Sequence, residues 1–522
     1  MSGSKTVGRA ALVVSGGILA SRLLGYLRSV VIGAQLGIGP ESSLYVDAFT
    51  IPDYLLFLMA GGYLSITLVP ILADRLETEG TEAAASAFNS IFHVVIRLMV
   101  FLTAIAFLAA QPITEAVFSA KSAEELVRLT SMMRITFISQ IFFAAGTLFM
   151  AAQYANRRFL IPTLAPLIYN LGIIVGGAIG AVIDKPSPEA FLWGGLFGAF
   201  IGNFAVQWWG ANRTGIRLST VFSIHHPAIP EYFKMAIPLM IGQTVVALDE
   251  QWPRVIGQFG SEGAEAGLAW ARQLNMLPVG VIAQAAGVAA YPFLAGLVAR
   301  RQYPELHKTV VRSARAAIAV GALAAGLVAS MAPTLVRIAY QYGNFRSEDT
   351  EFVGELLAVF AISIPFWAAH QVYTRAFYAL RRMWIPVIIG TAVTCGVVPA
   401  MLWMVHRWDA IGVAIGSTVG IAFYTALVAI SWHVLASKGS GAQMAFYVLR
   451  VAIAAGLAAY AAIWFSYWLG EGMGATVAGG FAGAAAYIVA ANILKLDEVT
   501  EFISRVFSFG RDRPELPIAP EE

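Results

Sequence analysis

The 522-residue sequence is poor in charge, cysteine and histidine, and each shortage removes a class of protein. Only 12% of its residues are charged while 58% are hydrophobic, which leaves too little charge to cover a soluble chain of this length. The single cysteine, Cys395, can form neither an internal disulfide nor a cysteine metal site. No histidines are paired at metal spacing, and no nucleophile–base grouping or phosphate-binding loop is present, so we expect neither enzymatic activity nor a bound cofactor.

Long apolar runs are what the sequence has in abundance. Its mean hydropathy is +0.71, and its 49 glycines and 22 prolines are typical of membrane helices, where neighbouring helices satisfy the backbone groups that these residues free. A membrane-spanning helix needs roughly 20 apolar residues. The sequence therefore predicts an all-α polytopic membrane protein with about fourteen spans, at 9–37, 44–72, 88–112, 127–154, 159–183, 189–211, 231–259, 264–297, 308–331, 350–378, 384–405, 409–435, 444–468 and 473–493.

The basic residues predict how the chain is oriented. Of the 34 Lys and Arg residues, 21 fall in segments on the side of the N-terminus, 7 in segments on the other side and 6 inside spans. Cytoplasmic loops carry an excess of Lys and Arg, so both termini are predicted to be cytoplasmic.

Two stretches of sequence recur at nearly one offset. Residues 154–162 reappear at 378–386, 224 positions later (381 minus 157), with a basic pair and a proline at matching places. Residues 69–73 reappear at 291–295, 222 positions later (292 minus 70). Each repeat holds six spans and enters from the same side, so we expect two parallel lobes around a central path. The predicted domains are an N-terminal lobe at 1–220, a C-terminal lobe at 221–440, an extra helix pair at 441–496 and a cytoplasmic tail at 497–522.

Arginines inside spans are costly and are therefore candidate functional residues. The planar guanidinium donates two parallel hydrogen bonds and keeps its charge when desolvated, which suits a diphosphate. Snorkelling to the membrane surface and salt bridges between the lobes are the alternatives, and both remain open. The candidate substrate-binding residues are Arg22, Arg28, Arg272 and Arg375.

Other polar residues lie on the same faces of these spans. Asp47, Thr50 and Tyr54 form one stripe on the second span, and Asn275 shares a face with an arginine of the eighth. In the seventh span Glu250 either lines a cavity or pairs with Arg254, four residues later. The candidate cavity or gate residues are Asp47, Thr50, Asp53, Asp249, Glu250, Gln273 and Asn275.

Several stretches resemble the MurJ/MviN family of lipid II flippases, within the multidrug/oligosaccharidyl-lipid/polysaccharide exporter superfamily. The most specific are 21–28 and 375–380, and others lie at 47–49, 162–170 and 277–280. The resemblance implies fourteen helices around a cationic cavity, with a lipid-tail groove at the last two. It also implies a bacterial cytoplasmic (inner) membrane protein that moves undecaprenyl-diphosphate-linked peptidoglycan precursor from the inner to the outer leaflet. By the match, Arg22 and Arg28 would bind the diphosphate and Asp47 would be a cavity or gate residue.

The chain departs from the family pattern at several basic or acidic positions. It has Thr50, Leu56-Phe57, Gly61 and Gln273 where the family usually has charged residues. Arg272 lies one position before Gln273. A flippase for another polyprenyl-linked glycan, an ion-coupled small-molecule exporter and a non-transporting scaffold therefore stay open as alternatives. The expected partners are lipid II or a similar polyprenyl-diphosphate lipid, membrane lipids and cell-wall synthesis proteins, with no nucleic acid. The expected coupling is to the membrane potential, Na⁺ or H⁺.

Overall fold

The fold is taken from a computed structural model of the chain. It describes all residues except Met1, 60–62, 284–293, 295, 299, 381, 437–440, 471 and 500–522, and the described residues form helices without any β-strand. The repeat residue Arg381 and most of the predicted tail lie outside the described residues.

Where it is described, the first predicted repeat contains nine α-helices and one π-helical turn. The turn, Ala199–Ala205, lies between α8 and α9 and continues the sixth span. The helices are α1 (Ser2–Leu36), α2 (Pro40–Met59), α3 (Tyr63–Thr78), α4 (Thr81–Leu108), α5 (Ala110–Val117), α6 (Ala123–Ala155), α7 (Leu164–Ile183), α8 (Pro188–Gly198) and α9 (Val206–Asn212).

The described residues of the rest of the chain form nine further helices. The longest bears two non-helical residues, Trp408 and Asp409, which divide it into the two spans predicted there. These helices are α10 (Ala228–Gly257), α11 (Ala264–Ala283), α12 (Tyr303–Ser330), α13 (Ala332–Tyr340), α14 (Ser347–Ala361), α15 (Ile364–Ala379), α16 (Trp384–Ala436), α17 (Gly441–Leu469) and α18 (Met473–Ile493).

Each of the fourteen predicted spans overlaps helices of the described part of the chain, and residues 284–293 of the predicted eighth span lie outside that part. The described residues of the second span form α2 and α3, on either side of residues 60–62. The tenth span consists of α14 and α15, which meet at a 42° bend. Within the described part of the chain, eight helices are individually long and apolar enough to cross a membrane, or nine if that bent pair is one span. The other predicted spans are made of helices that are shorter or more polar. The chain is a polytopic all-helical membrane protein, as the sequence predicts.

Backbone geometry repeats at the same offsets as the sequence. The amide of Arg158 donates to the carbonyl of Gln153, and 224 residues later (382 minus 158) Arg382 donates to Phe377, both at 2.9 Å. Each bond spans five residues and ends a helix, as expected of a C-terminal cap. A second pair of hydrogen bonds lies 222 residues apart. The amide of Gly80 donates to the carbonyl of Arg75 at the end of α3, and the amide of Gln302 donates to the carbonyl of Leu297 just before α12, both at 2.9 Å.

The chain divides into two units, each with its own apolar core. The first comprises residues 1–269, 336–352 and 398–413, and the second comprises residues 270–335, 353–397 and 414–522. Aromatic side chains such as Phe88 and Phe149 fill the first core, whereas Trp432 and Tyr447 lie in the second. The first unit thus includes segments of the second sequence repeat, and the lobe boundaries at 220 and 440 stay a prediction.

Candidate functional site

In the first unit, Arg28 is held by an amide side chain on a neighbouring helix. Its Nη1 donates to Oδ1 of Asn170, which is buried on α7, at 3.0 Å. Gly25, one turn earlier on α1, lies beside the same amide, so the two helices approach closely there. Arg22, two turns before Arg28, is exposed.

Two tyrosines and one carboxylate surround Arg28. Tyr45 on α2 and Tyr169 on α7 both lie within electrostatic reach of Arg28 and of Asp53. The ring of Tyr169 packs edge-on against Phe143, with centroids 5.0 Å apart. The structure therefore brings the predicted residues Arg28 and Asp53 into one polar cluster, which we call the Arg28 cluster.

Asp47 belongs to a different site from Arg28. Its Oδ2 lies 2.9 Å from Nζ of Lys121, and the same Nζ lies 2.9 Å from Oε1 of Glu265. The three side chains are 0%, 7% and 6% exposed. Burial alone would lower the pKa of Lys121, but the Asp47 and Glu265 carboxylates outweigh it and raise that pKa above its ordinary value. We call these three residues the Lys121 triad.

The remaining candidates of the first unit differ in how far the structure describes them. Thr50 is 2% exposed, and its hydroxyl has no hydrogen-bond partner within the described residues. Asp249 and Glu250 lie on α10, but their side chains are outside the described part, so their roles stay predictions. Arg254, on the same helix, donates to Gln251 Oε1 at 3.3 Å.

In the second unit, Arg272 and Asn275 on α11 enter a buried polar cluster. Nη1 of Arg272 lies 3.4 Å from Oγ of Ser417, and its guanidinium lies 6.0 Å from the ring centroid of Trp367. Asn275, fully buried, donates to Oγ of Ser363 at 3.1 Å. We call this the Arg272 cluster.

The second unit contains two further candidate residues, Gln273 and Arg375. Gln273 follows Arg272 on α11 and is half-buried, as is Arg375 on α15. Arg272, in contrast, is only 9% exposed. Arg272 is therefore the more buried of these two neighbouring side chains.

Sequence reasoning missed the partners that position these side chains. Asn170 lies in a family-like stretch, yet only the structure shows its bond to Arg28, across 142 residues. No sequence pattern marks Ser363, Trp367 or Ser417 as a partner of a buried polar residue. Glu265 is far in sequence from Lys121, and an outside lysine is readily interpreted as a topology residue only.

Further contacts of the first unit join the predicted outer ends of both repeats. Gln258 Nε2 donates to the carbonyl of Val117 at 2.8 Å, and its Oε1 accepts from the amide of Ala120 at 3.1 Å. Asn344 donates its backbone and side-chain amides to the last carbonyls of α1, at 2.8 and 2.7 Å. Together with the Lys121 triad, these contacts form what we call the outer seal.

The arrangement can bind an anion better than a metal. Arg28 and Arg272 each donate through Nη1 to an uncharged group, the Asn170 amide oxygen and the Ser417 hydroxyl, and a guanidinium is a good donor to an anionic ligand. Within the described residues, no three His, Cys, Asp or Glu side chains lie close enough to hold a metal ion.

A duplicated six-helix fold with arginines inside its spans defines the chain as a polytopic membrane transporter. The family model for the lipid II flippase MurJ matches residues 32–476, most of the sequence. The chain therefore belongs to the MurJ family of lipid II flippases.

Individual relatives agree with this assignment. A protein of Rhizobium tropici described as a "Probable lipid II flippase MurJ" is 24% identical over 425 residues, covering 80% of this chain and 75% of the relative. The "Lipid II flippase MurJ" of Burkholderia cenocepacia is 24% identical over 391 residues, covering 74% of this chain and 76% of the relative.

Two solved structures share the fold. "Lipid II flippase MurJ, inward closed conformation" matches with a TM-score of 0.76 at 17% identity, covering 94% of this chain and all of that one. An inward-facing multidrug resistance MATE transporter of the MOP superfamily matches with a TM-score of 0.63 at 15% identity, covering 82% of this chain and 95% of that one.

Proposed function

We propose that this chain moves undecaprenyl-diphosphate-linked peptidoglycan precursor, lipid II, from the inner to the outer leaflet by alternating access. Membership of the MurJ family supports the substrate and the transport activity. The observation that carries the mechanism is the bond from Arg28 to neutral Asn170, because it orients inside a span a guanidinium, which can donate two parallel hydrogen bonds to a phosphate. No step of this mechanism requires enzymatic chemistry.

The proposed diphosphate ligands are Arg22 and Arg28 in the first unit and Arg272 in the second. Arg22 is exposed on α1 and makes the first contact, and half-buried Arg28 holds the diphosphate deeper in the span. Arg272 is the buried guanidinium that the second unit offers to the same chemical group. Arg375 lies half-buried on α15 and attracts the anionic head group at the cytoplasmic surface.

The prenyl tail occupies an apolar cavity of the second unit. This cavity has a volume of about 520 Å³ and is lined by α12, α15, α16 and α17, with residues such as Ile318, Ala369 and Val448. Only Tyr373 and Thr425 contribute hydroxyl groups to its wall. Burial of apolar surface there favours a hydrocarbon chain over a polar ligand.

The driving force comes from the membrane potential, with both termini in the cytoplasm. Each charge that crosses gains about 2.3 kcal/mol per 100 mV when the exterior is positive. Outward movement of an anionic head group is favourable under that field. Na⁺ and H⁺ coupling are the alternatives, and omission of either ion from proteoliposomes with an imposed potential separates them.

A second cargo, another polyprenyl-diphosphate-linked glycan, is favoured by one observation. Thr50 is buried where the family usually has a basic residue, and its hydroxyl lacks a hydrogen-bond partner within the described residues. The loss of that cation weakens one contact to an anionic cargo without affecting Arg28.

The test is rescue of a bacterial strain depleted of its own lipid II flippase. We expect the wild-type chain to restore growth and Arg28→Ala to fail at equal membrane abundance. Arg97→Ala is the matched control, because Arg97 is exposed on α4 and stacks on Phe222 at 4.1 Å, away from the proposed site. Failure of the inserted wild type would refute lipid II as the cargo, and native mass spectrometry of co-purified lipids would then identify the diphosphate lipid that binds.

A further inference from the structure

The Lys121 triad connects three elements at the predicted outer side of the first unit. Asp47 lies on α2, Lys121 lies in the segment between α5 and α6, and Glu265 lies in the first turn of α11. Asp47 and Lys121 belong to the first sequence repeat and Glu265 belongs to the second. Lys121 therefore contacts one carboxylate from each repeat and links the two repeats within the outer seal.

Burial makes the lysine indispensable to this contact. All three side chains are at least nine-tenths buried, and both carboxylates lie 2.9 Å from a single Nζ. Two carboxylates without a cation would repel each other in a site with little water. Arg254 is the other basic group within electrostatic reach of Asp47, and it partly balances the excess negative charge of the triad.

We propose that Lys121 locks the outer seal, and that the protein opens outward only after Lys121 releases Glu265. This proposal rests on the alternating-access function proposed above. It makes Lys121 and Glu265 positioning residues, which touch no substrate but set which side of the protein is closed. The carboxylates become hydrated when the seal opens, so the cost of separating the charges is offset by water.

The test measures access to the seal from outside, with no lipid substrate required. Cys395, the single cysteine, is replaced by serine, and Ser43→Cys is the reporter. Ser43 lies one turn before Asp47 on α2, is 1% exposed, and its hydroxyl has no hydrogen-bond partner in the described part of the chain, so the change costs no bond. Right-side-out membrane vesicles are treated with a membrane-impermeant maleimide, and the labelling rate is measured.

We expect Lys121→Met to raise the labelling rate about tenfold or more, because it leaves two buried carboxylates unpaired. Lys185→Met is the matched control: Lys185 is an exposed lysine on the same predicted side, and its loss should leave the rate unchanged. The neutral triple variant Asp47→Asn, Lys121→Met, Glu265→Gln should fall between the wild type and Lys121→Met. Comparing the triple variant with Lys121→Met separates the effect of charge pairing from the effect of losing the lysine side chain.

Two results would overturn the lock. Labelling of Lys121→Met at the Lys185→Met rate would show that the lysine does not hold the seal. Equal labelling rates for the triple variant and Lys121→Met would show that Lys121 does not close the seal through charge pairing. If Lys121→Met fails to fold, Glu265→Gln gives the second test: it keeps the Asp47 pair, and a rate equal to wild type would equally refute the proposal. Failed rescue of the flippase-depleted strain would leave these labelling results intact and count against the cargo alone.

Discussion

Replacing Asn170 with aspartate should switch off the diphosphate site with almost no change in shape. The amide oxygen that accepts from Arg28 at 3.0 Å would become a carboxylate oxygen at the same place. The carboxylate would hold the guanidinium as well as the amide does, while cancelling most of its charge. We expect Asn170→Asp to bind a diphosphate lipid more weakly and to remain folded.

The magnitude follows from the distance and the burial. Two unit charges about 4 Å apart interact by about 4 kcal/mol at an effective dielectric constant near 20. Arg28 is half-buried, so solvent screening reduces the net effect to about 1–2 kcal/mol. That corresponds to a roughly 5–30-fold loss of affinity for the anionic ligand.

Native mass spectrometry with titrated polyprenyl diphosphate measures this loss, and a thermal melt checks the fold. Asn492→Asp is the control, because Asn492 is exposed on α18 and its side chain bonds only locally, to the carbonyl of Ile488. Unchanged affinity in Asn170→Asp, with Asn492→Asp also unchanged, would refute the role of Arg28 as a free cation for the diphosphate.

Two further predictions concern stability. Gly172→Ala should lower the free energy of unfolding by about 1–3 kcal/mol, because the added Cβ would lie 2.6 Å from the carbonyl oxygen of Gly194. Gly396→Ala, with open space around the new methyl group, should cause no loss, and equal melting temperatures for the two variants would contradict this reasoning. Asp409→Ala should cost about 1–2 kcal/mol, since Oδ1 of Asp409 accepts from the amides of Ser261 and Ala410, both at 2.7 Å. Asp409→Asn keeps an acceptor oxygen and should melt within a degree or two of the wild type, and a larger drop would mean that the carboxylate charge matters.

Hydropathy predicted the spans well because the membrane imposes a length on every spanning helix. The breaks inside the spans were harder to predict, since they depend on neighbours. Pro52 and Pro70 lie inside helices that continue past them, whereas the kink at Trp408 has no proline. The π-helical turn in the sixth span carries no recognisable residue pattern, and we have no sequence rule that would have placed it.

The sequence predicted those residues of the site that carry a charge inside an apolar run. Arg28, Asp53 and Arg272 stand out on that ground, and Asn275 does so because it shares a helix face with Arg272. The structure places these residues in two polar clusters. Asp47 stood out equally but joins Lys121, because a long-range partner decides where a carboxylate lies. Such pairing has no local signature, since Lys121 and Glu265 are separated by 144 residues.

The partners of each cation distinguish binding from structural roles. Lys121 contacts two carboxylates, and Arg128 likewise contacts both Glu41 and Glu189, so each of these cations is neutralised where it lies. Arg28 and Arg272, in contrast, each donate to an uncharged group, an amide oxygen and a hydroxyl. A charged group inside a span is expensive, and an anionic ligand is one means of offsetting that cost. In the proposed function, an anionic cargo binds at the arginines that the sequence singles out, whereas Lys121 and Arg128 hold carboxylates on the predicted outer side.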